Sequence, residues 1–430
     1  MERSNDTLSR RGVLRLGVAG AALLACPGPL FRRRAFAQAR QPHFFVMMFA
    51  DGGWDPTQTI DPHDPLDTSD GIDVDVPESI SGLPPSTLAT AGGLPYVSNP
   101  TTRPAVDAYF LAWGSRTAIV NGISTRSTSH DQSRQLVLTG SLDASRADFA
   151  VLAAHANGSD LPLPHLLLSG ESYGGPFAGL SGRLGGQMRE VMAWNRLDNR
   201  QLALSAVGEA HVRQALEWEQ LLESGMPAHA LSARVAQFHD ANGRADRMAQ
   251  LAASLRIDGG NGRVLATSLA TAFRSGLTAS VSLRPSGGFD THNDNTAQNA
   301  RWNQVFTFLG DFVAELAAQP GVAAASLLDE TTVVFCSEFS RTPQLNGDNG
   351  KDHHPWASMI LVGKGVRGGT IVGRTDGDQE GVRIDLDTGQ PSDTGQVLDV
   401  GNMVAGLVTL AGGNAATYLP TIRPCTAFIV

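Results

Sequence analysis

Acidic and histidine side chains are concentrated in residues 331–364, where they follow or precede apolar runs. Glu338 comes directly after the β-branched and apolar run Thr331–Ser337, and Asp352-His353-His354-Pro355 precedes a second apolar run, residues 357–362. Carboxylate and imidazole groups are common oxygen and nitrogen ligands of metal ions in proteins. The alternative is a surface loop whose acids and histidines are simply solvated.

Two further apolar runs end at potential ligands. Residues 43–50 continue directly into Asp51-Gly52-Gly53-Trp54-Asp55, and residues 277–283 lead to Asp290-Thr291-His292. In an extended backbone Asp290 and His292 project to the same side, so both could bind one ion. An Asp-Gly-Gly sequence is also an ordinary turn, and this alternative stays open here.

The segment after residues 117–123 brings together several hydroxyl groups and one imidazole. It reads Ser124-Thr125-Arg126-Ser127-Thr128-Ser129-His130-Asp131, and the following residues 132–139 are predicted to form a helix. Free backbone amides and the helix dipole attract an anion to such a helix N-terminus. Ser129 and Asp131 could instead be no more than N-cap residues.

The elements that must position these residues are short buried strands in alternation with helices. The predicted strands are residues 43–50, 117–123, 163–169, 277–283, 331–337 and 357–362; the predicted helices are residues 104–114, 132–139 and 295–318; and the predicted loops are residues 61–104 and 170–186. Such alternation is typical of an α/β fold with a mainly parallel sheet and helices on both faces. Because ligands bind at the carboxyl ends of such strands, the residues predicted to converge there are Asp51 or Asp55, His130, Asp290, His292, Glu338 and His353.

The N-terminus has the features of an export signal. Ser9-Arg10-Arg11-Gly12 forms a twin-arginine motif, the apolar residues 13–24 follow it, and Ala35-Phe36-Ala37 offers a cleavage site. Residues 1–37 are therefore predicted to be a twin-arginine signal peptide, and the protein to be periplasmic or secreted. A lipid anchor on Cys26 is the alternative.

Composition excludes several classes of protein. Residues 1–37 hold seven of the 33 basic and two of the 42 acidic side chains, so the remaining chain has a net charge of −14. That charge opposes nucleic-acid binding, which depends on neutralising phosphates. Beyond Cys26 the chain has only Cys336 and Cys425, which excludes a disulfide framework and a zinc site with a CxxC motif. No later apolar run is long enough to span a bilayer.

Five motifs, in one order along the chain, resemble those of the domain-of-unknown-function family 1501 (DUF1501), which belongs to the alkaline phosphatase and sulfatase superfamily. They are Gly52-Gly53-Trp54-Asp55, His130 through Thr139-Gly140, Asp290-Thr291-His292, Ser337-Glu338-Phe339-Ser340-Arg341-Thr342-Pro343 and Asp352-His353-His354-Pro355. The resemblance implies one alkaline phosphatase-like domain over residues 38–430. Its expected architecture is a three-layer α/β/α sandwich with a mainly parallel central sheet. Helical patterns in the sequence predict a helical excursion over residues 187–256.

The resemblance also implies a site for one or two divalent metal ions, either zinc, manganese or calcium. Two ions would lie about 4 Å apart. The implied ligands are Asp51 or Asp55, Asp290, His292, Glu338 and His353. Without metal, mutual repulsion is expected to raise the pKa values of these acids.

One position departs from the superfamily pattern. His130 lies where a serine, threonine or formylglycine nucleophile is usual. Three roles stay open for it: metal ligand, acceptor of a phosphoryl group, or marker of a core that has lost hydrolysis.

The function that these features predict is an exported, metal-dependent hydrolase of phosphate or sulfate esters. Arg134 and Arg341 are candidates to bind the anion, because a guanidinium group matches two oxyanion oxygens at once. Surface salt bridges are the alternative for each arginine. The alternative function is a non-catalytic periplasmic or surface protein that binds an anion or a glycan with the same core.

Overall fold

An eight-stranded sheet lies at the centre of the structure, a computed structural model that describes residues 41–183 and 261–430. The described strands, in chain order, are β1 (Phe44–Ala50), β2 (Thr87–Ala91), β3 (Leu94–Ser98), β4 (Thr117–Ser124), β5 (His165–Leu167), β6 (Ser181–Arg183), β7 (Ser280–Ser286), β8 (Thr331–Ser337), β9 (Ser340–Arg341), β10 (His353–His354), β11 (Trp356–Gly363) and β12 (Thr370–Val372). The order in the large sheet is β12-β4-β11-β8-β1-β7-β5-β6. Within it, β11 is antiparallel to β4 and β8, and the other pairings are parallel. The predicted mainly parallel sheet is confirmed.

Helices cover both faces of this sheet. The described α-helices are α1 (Glu78–Ser81), α2 (Pro104–Trp113), α3 (His130–Thr139), α4 (Phe149–Gly158), α5 (Gly262–Arg274), α6 (Ala297–Ala318), α7 (Val400–Leu410) and α8 (Ala415–Tyr418). No helix within the described ranges is long and apolar enough to cross a membrane. The predicted signal peptide and helical excursion lie outside the described residues.

Strand β1 carries apolar side chains on both faces of the sheet, so both faces must be buried. Its side chains are all buried and alternate between two cores. Phe44, Val46 and Met48 pack with residues of α2, α5 and α6, whereas Phe45 and Met47 belong to the core formed with α3, α4 and α7. An apolar strand without polar alternation is therefore the central strand of a sheet buried on both faces.

The prediction of a loop over residues 61–104 is wrong in part. Strands β2 and β3 form an antiparallel hairpin there, with Gly92 and Gly93 between them. Most side chains of β2 are exposed, so the sequence TLATA lacks the apolar alternation that marks a half-buried strand.

The prediction of a loop over residues 170–186 is also wrong in part. A 3-10 helix, Gly175–Leu180, leads into β6 at the edge of the sheet. This strand has only three residues, Ser181-Gly182-Arg183, none of them apolar, so periodicity could not reveal it.

Candidate metal centre

Three residues that are distant in sequence bring potential metal-ligand atoms together. His130 is the first residue of α3, Asp290 follows β7, and His353 lies in β10. One ligand atom from each residue lies within 4.8 Å of the other two.

His292 adds a fourth donor atom to this group. Its Nε2 atom is 3.1 Å from Nε2 of His353 and 3.1 Å from Oδ1 of Asp290. The Nε2 atom of His353 is also 3.1 Å from that Oδ1, and Nε2 of His130 is 3.5 Å from Oδ2. Ligands bound tetrahedrally at 2.0–2.1 Å from zinc are separated by about 3.3 Å. The separations among Nε2 of His292, Nε2 of His353 and Oδ1 of Asp290 are close to this value, and His130 lies beside the other carboxylate oxygen.

Each of the three histidines has its other ring nitrogen against an oxygen acceptor. Nδ1 of His130 is 2.8 Å from Oε1 of Glu338, and Nδ1 of His292 is 2.7 Å from Oδ1 of Asp352. Nδ1 of His353 is 2.8 Å from the carbonyl oxygen of Thr128. Ionised carboxylates and carbonyls only accept, so Nδ1 donates in each ring. In the neutral rings the Nε2 lone pairs then face the centre, as metal-binding histidines require.

Hydrogen-bond donors and positive groups stabilise the charged forms of the two acids at the centre. The expectation of raised pKa values is therefore wrong for both Asp290 and Glu338. Burial opposes ionisation of Asp290, but the hydrogen bond from Arg341 and the contact with His353 outweigh it and lower its pKa to about 2. Burial likewise disfavours the charged form of Glu338, yet the hydrogen bonds from His130 and from the Gly52 amide lower its pKa. Positive groups and N–H donors face these acids instead of other carboxylates.

Glu338 is fully buried behind His130. Its Oε1 accepts the amide of Gly52 at 2.9 Å as well as the histidine, and its Oε2 accepts the hydroxyl of Ser337 at 2.9 Å. The hydrogen bond to Glu338 outweighs burial and raises the pKa of His130. Glu338 is thus placed to orient the imidazole of His130. Its negative charge would also make the other ring nitrogen a stronger metal ligand.

Phe339 fixes the orientation of two of the histidine rings. Its fully buried ring has its centroid 4.9 Å from that of His130 and 4.4 Å from that of His353. Solvent still reaches the centre, because 45% of the side-chain surface of Asp290 is exposed. A small ligand could therefore approach the centre from the open side.

Arg341 lies beneath the centre and is completely buried. It donates to Oδ1 of Asp290 at 2.7 Å, to the carbonyl of Lys351 at 3.1 Å, and to the carbonyls of Gly52 and Gly53. These contacts use four of the five guanidinium N–H groups. Arg341 therefore holds Asp290 against the Gly52-Gly53 turn and is not directed at solvent.

Gly52 is required for this arrangement. Its φ is 111°, and a Cβ atom at this position would lie 2.6 Å from the backbone nitrogen of Asp290. Any other residue would push the turn away from Asp290.

Asp51 and Arg134 meet in a second cluster. Oδ1 of Asp51 accepts Nη2 of Arg134 at 2.7 Å, and its Oδ2 accepts Nη1 of Arg284 at 3.3 Å. Both arginines also pair with Glu171. The carboxylate of Asp51 is therefore engaged by arginines and lies outside the metal-ligand group described above. Sequence reasoning missed Arg284 and Glu171, although Arg284 directly follows a predicted strand.

Asp55 is completely buried in a third setting. Its Oδ2 lies 2.8 Å from Nζ of Lys351 and 2.8 Å from Nδ2 of Asn295, and its Oδ1 accepts the hydroxyl of Thr57 at 2.6 Å. Asp55 also caps the short 3-10 helix Pro56–Gln58. These contacts indicate that Asp55 has a structural role.

Comparison with known proteins supports a family assignment. A family model described as a protein of unknown function, DUF1501, matches residues 44–385. No curated protein matches the chain. A solved structure, titled Ps i-CgsB in complex with k-i-k-neocarrahexaose, is 9% identical and aligns over 90% of this chain and 75% of its own. The TM-score of that alignment is 0.34, too low to support an argument about fold or function.

Proposed function

The chain belongs to the DUF1501 family, and we propose that it is an exported, metal-dependent hydrolase of phosphate or sulfate esters. One observation carries the proposal. The Nε2 atoms of His130, His292 and His353 gather around the carboxylate of Asp290, while each Nδ1 is fixed on an oxygen. Four acceptor atoms at such short separations repel one another unless a metal ion or a ring proton lies between them.

The chemistry of the donor set favours one zinc ion. Three imidazole nitrogens and one carboxylate oxygen suit zinc and neighbouring transition metals, whereas calcium prefers oxygen ligands alone. Asp51 and Asp55 are engaged elsewhere, by arginines and by Lys351. The described residues therefore support one ion rather than two.

The residues around this centre have separable tasks in the proposed reaction. A bound divalent ion would polarise an ester oxygen and lower the pKa of a water molecule. Glu338 and Phe339 hold His130, so its Nε2 faces Asp290, and of the three roles left open for His130 we favour metal ligand. Arg341 keeps Asp290 in place and lowers its pKa, which keeps the carboxylate ionised at neutral pH.

A non-catalytic protein that binds an anion or a glycan is the second candidate. The superfamily's usual nucleophile position holds His130, which this geometry turns toward the centre. Arg134 and Arg341, the predicted anion clamps, are both paired within the protein. An anion would have to compete with Asp51 for Arg134.

Metal content and ester hydrolysis, measured on the same purified chain, distinguish these candidates. We expect one zinc ion per chain by mass spectrometry, and hydrolysis of p-nitrophenyl phosphate or p-nitrophenyl sulfate that a chelator abolishes and zinc restores. Bound metal without hydrolysis of either ester would support the binding protein. Absence of metal after growth in zinc-supplemented medium would overturn the proposed centre.

Export is expected to depend on Arg10 and Arg11. Replacing both with lysine should retain the unprocessed chain in the cytoplasm, because the twin-arginine pathway reads this pair. The matched control replaces Arg32 and Arg33, which lie outside the motif, with lysine and should be exported normally. Cell fractionation and N-terminal sequencing provide the measurement, and a mature N-terminus at Gln38 is expected. Unchanged export of the Arg10 and Arg11 variant would contradict the signal.

A further inference from the structure

The hairpin of β2 and β3 has one free edge. Its two strands form a separate antiparallel sheet, so among the described residues β2 has a neighbouring strand on one side only. Most side chains of β2 are exposed, and Leu88 in the middle of the strand is 47% exposed. The other side of β2 is therefore an accessible edge with which a further strand could pair.

The register of the hairpin shows which backbone groups face this free edge. In a hairpin with a two-residue turn, here Gly92-Gly93, the flanking residues Ala91 and Leu94 exchange two hydrogen bonds. Along an antiparallel pair, residues that exchange such bonds alternate with residues that do not. The amide and carbonyl groups of Leu88 and Thr90 therefore point away from β3.

Two residues of β3 support this assignment. Pro95, which lacks an amide hydrogen, lies opposite Thr90. Val97 lies opposite Leu88, and its amide donates away from β2, to the carbonyl of Thr59 at 2.8 Å. The free edge of β2 thus carries two amides and two carbonyls that have no hydrogen-bond partner among the described residues.

Strand β2 lacks the features that usually protect a free edge from pairing. Such features are a charged side chain, a proline, a bulge or a very short strand. The five residues TLATA include no charge and no proline, and their pairing with β3 is regular. Asp, Glu, Lys and Arg make up 17% of the chain, yet residues 79–102 contain none of them. Depletion of charge is typical of the core of a protein–protein interface.

The free edge is complementary to a second copy of itself. When two β2 strands pair in antiparallel orientation about a twofold axis at Ala89, Leu88 of each copy lies opposite Thr90 of the other. Both copies direct their free amides and carbonyls at this edge, so the pairing makes four hydrogen bonds. The two Ala89 residues then face each other without hydrogen bonds, at about 4.5 Å between Cα atoms, a separation that small side chains permit.

The distribution of charge also favours a second copy at this edge. Residues 38–430 have a net charge of −14, so two copies repel each other when charged surfaces approach. The hairpin brings no like charges together. Pairing would also cover the exposed side chain of Leu88 with Thr90 of the other copy.

We propose that β2 pairs with β2 of a second copy, so that the protein forms a twofold-symmetric dimer. The two hairpins become one four-stranded antiparallel sheet in the order β3-β2-β2-β3. This interface uses no residue of the metal centre, and it does not depend on the proposed hydrolysis.

Size-exclusion chromatography with light scattering, over a dilution series of the purified protein, tests the dimer. We expect twice the mass of one chain at high concentration. Leu88→Lys should weaken dimerisation by at least about 100-fold, because each copy loses an apolar contact and gains a charge at the edge. The matched control is Leu142→Lys, at an exposed leucine outside the hairpin, which should dimerise as the wild type does.

A second pair of variants tests the backbone hydrogen bonds. Thr90→Pro removes the outward amide of each copy and should weaken dimerisation by at least about tenfold. The hairpin itself should remain, because this amide does not face β3. Thr90→Val keeps the amide and a β-branched side chain, so it should dimerise as the wild type does. Circular dichroism should show the wild-type fold for each variant.

The outcomes decide the proposal without reference to the metal centre. Monomers at every concentration would overturn it, whether β2 is then bare or covered by a strand of another protein. A dimer that both Leu88→Lys and Thr90→Pro leave intact would also overturn it, because such a dimer uses another surface. His353→Ala should dimerise as the wild type does, so failure of the metal centre and failure of the dimer are distinguishable.

Discussion

His353→Ala is expected to weaken zinc binding by more than about 100-fold, whereas Glu338→Gln should weaken it by about 10- to 100-fold. The difference follows from position. His353 directs Nε2 at Asp290, within the ligand group, whereas Glu338 contacts the far nitrogen of His130. Loss of a ligand leaves the ion incompletely coordinated, while Glu338→Gln removes only the negative charge behind His130 and keeps an oxygen acceptor for its Nδ1. Titration of metal-free protein with zinc, in competition with a chromogenic chelator, measures both affinities.

The control for this comparison is His155→Ala. His155 lies in α4, and its Nδ1 contacts the hydroxyl of Tyr418, so zinc affinity should not change. If Glu338→Gln costs as much affinity as His353→Ala, Glu338 is itself a ligand, which is the role its sequence motif implies. If neither variant differs from the wild type, these histidines do not form a metal centre.

The sequence could identify residues of the centre, but it could not show which of them are ligands and which of them orient the ligands. The Asp290-Thr291-His292 spacing and the motifs around Glu338 and His353 mark chemically capable side chains. Which of them faces the ion depends on contacts between segments that are far apart, such as the 208 positions that separate His130 from Glu338. The acceptor for Nδ1 of His353 is a backbone carbonyl, which has no signature in the sequence.

Strands could likewise be predicted only where burial imposes a pattern on the sequence. The sequence predicts Thr331–Ser337 to the residue, because its β-branched and apolar residues continue without polar alternation, as is typical of a strand buried on both faces. The edge strand β6 and the exposed β2 have no such requirement. Glu171 also has no sequence pattern that marks it, because only tertiary contacts bring it to Arg134 and Arg284.

Loss of either partner of the buried ion pair between Asp55 and Lys351 is expected to lower the free energy of unfolding by about 3–5 kcal/mol. Both side chains are fully buried, and Oδ2 of Asp55 is 2.8 Å from Nζ of Lys351. Lys351→Met leaves a buried carboxylate with only neutral donors, and Asp55→Asn leaves a buried ammonium without its counter-charge. The double variant removes both charges, so it should be more stable than the sum of the two single losses predicts.

Urea unfolding of the wild type, both single variants and the double variant measures this coupling. Lys364→Met is the matched control, because the chain has only one other lysine and its Nζ donates to the carbonyl of Pro42. Loss of that hydrogen bond should cost only about 1 kcal/mol. Zinc content separates the two roles considered for Asp55. A structural Asp55 predicts that the folded Asp55→Asn protein, prepared without urea, still binds one zinc ion. Loss of zinc with unchanged stability would instead make Asp55 the first metal ligand and would contradict the role that its contacts with Lys351, Asn295 and Thr57 indicate.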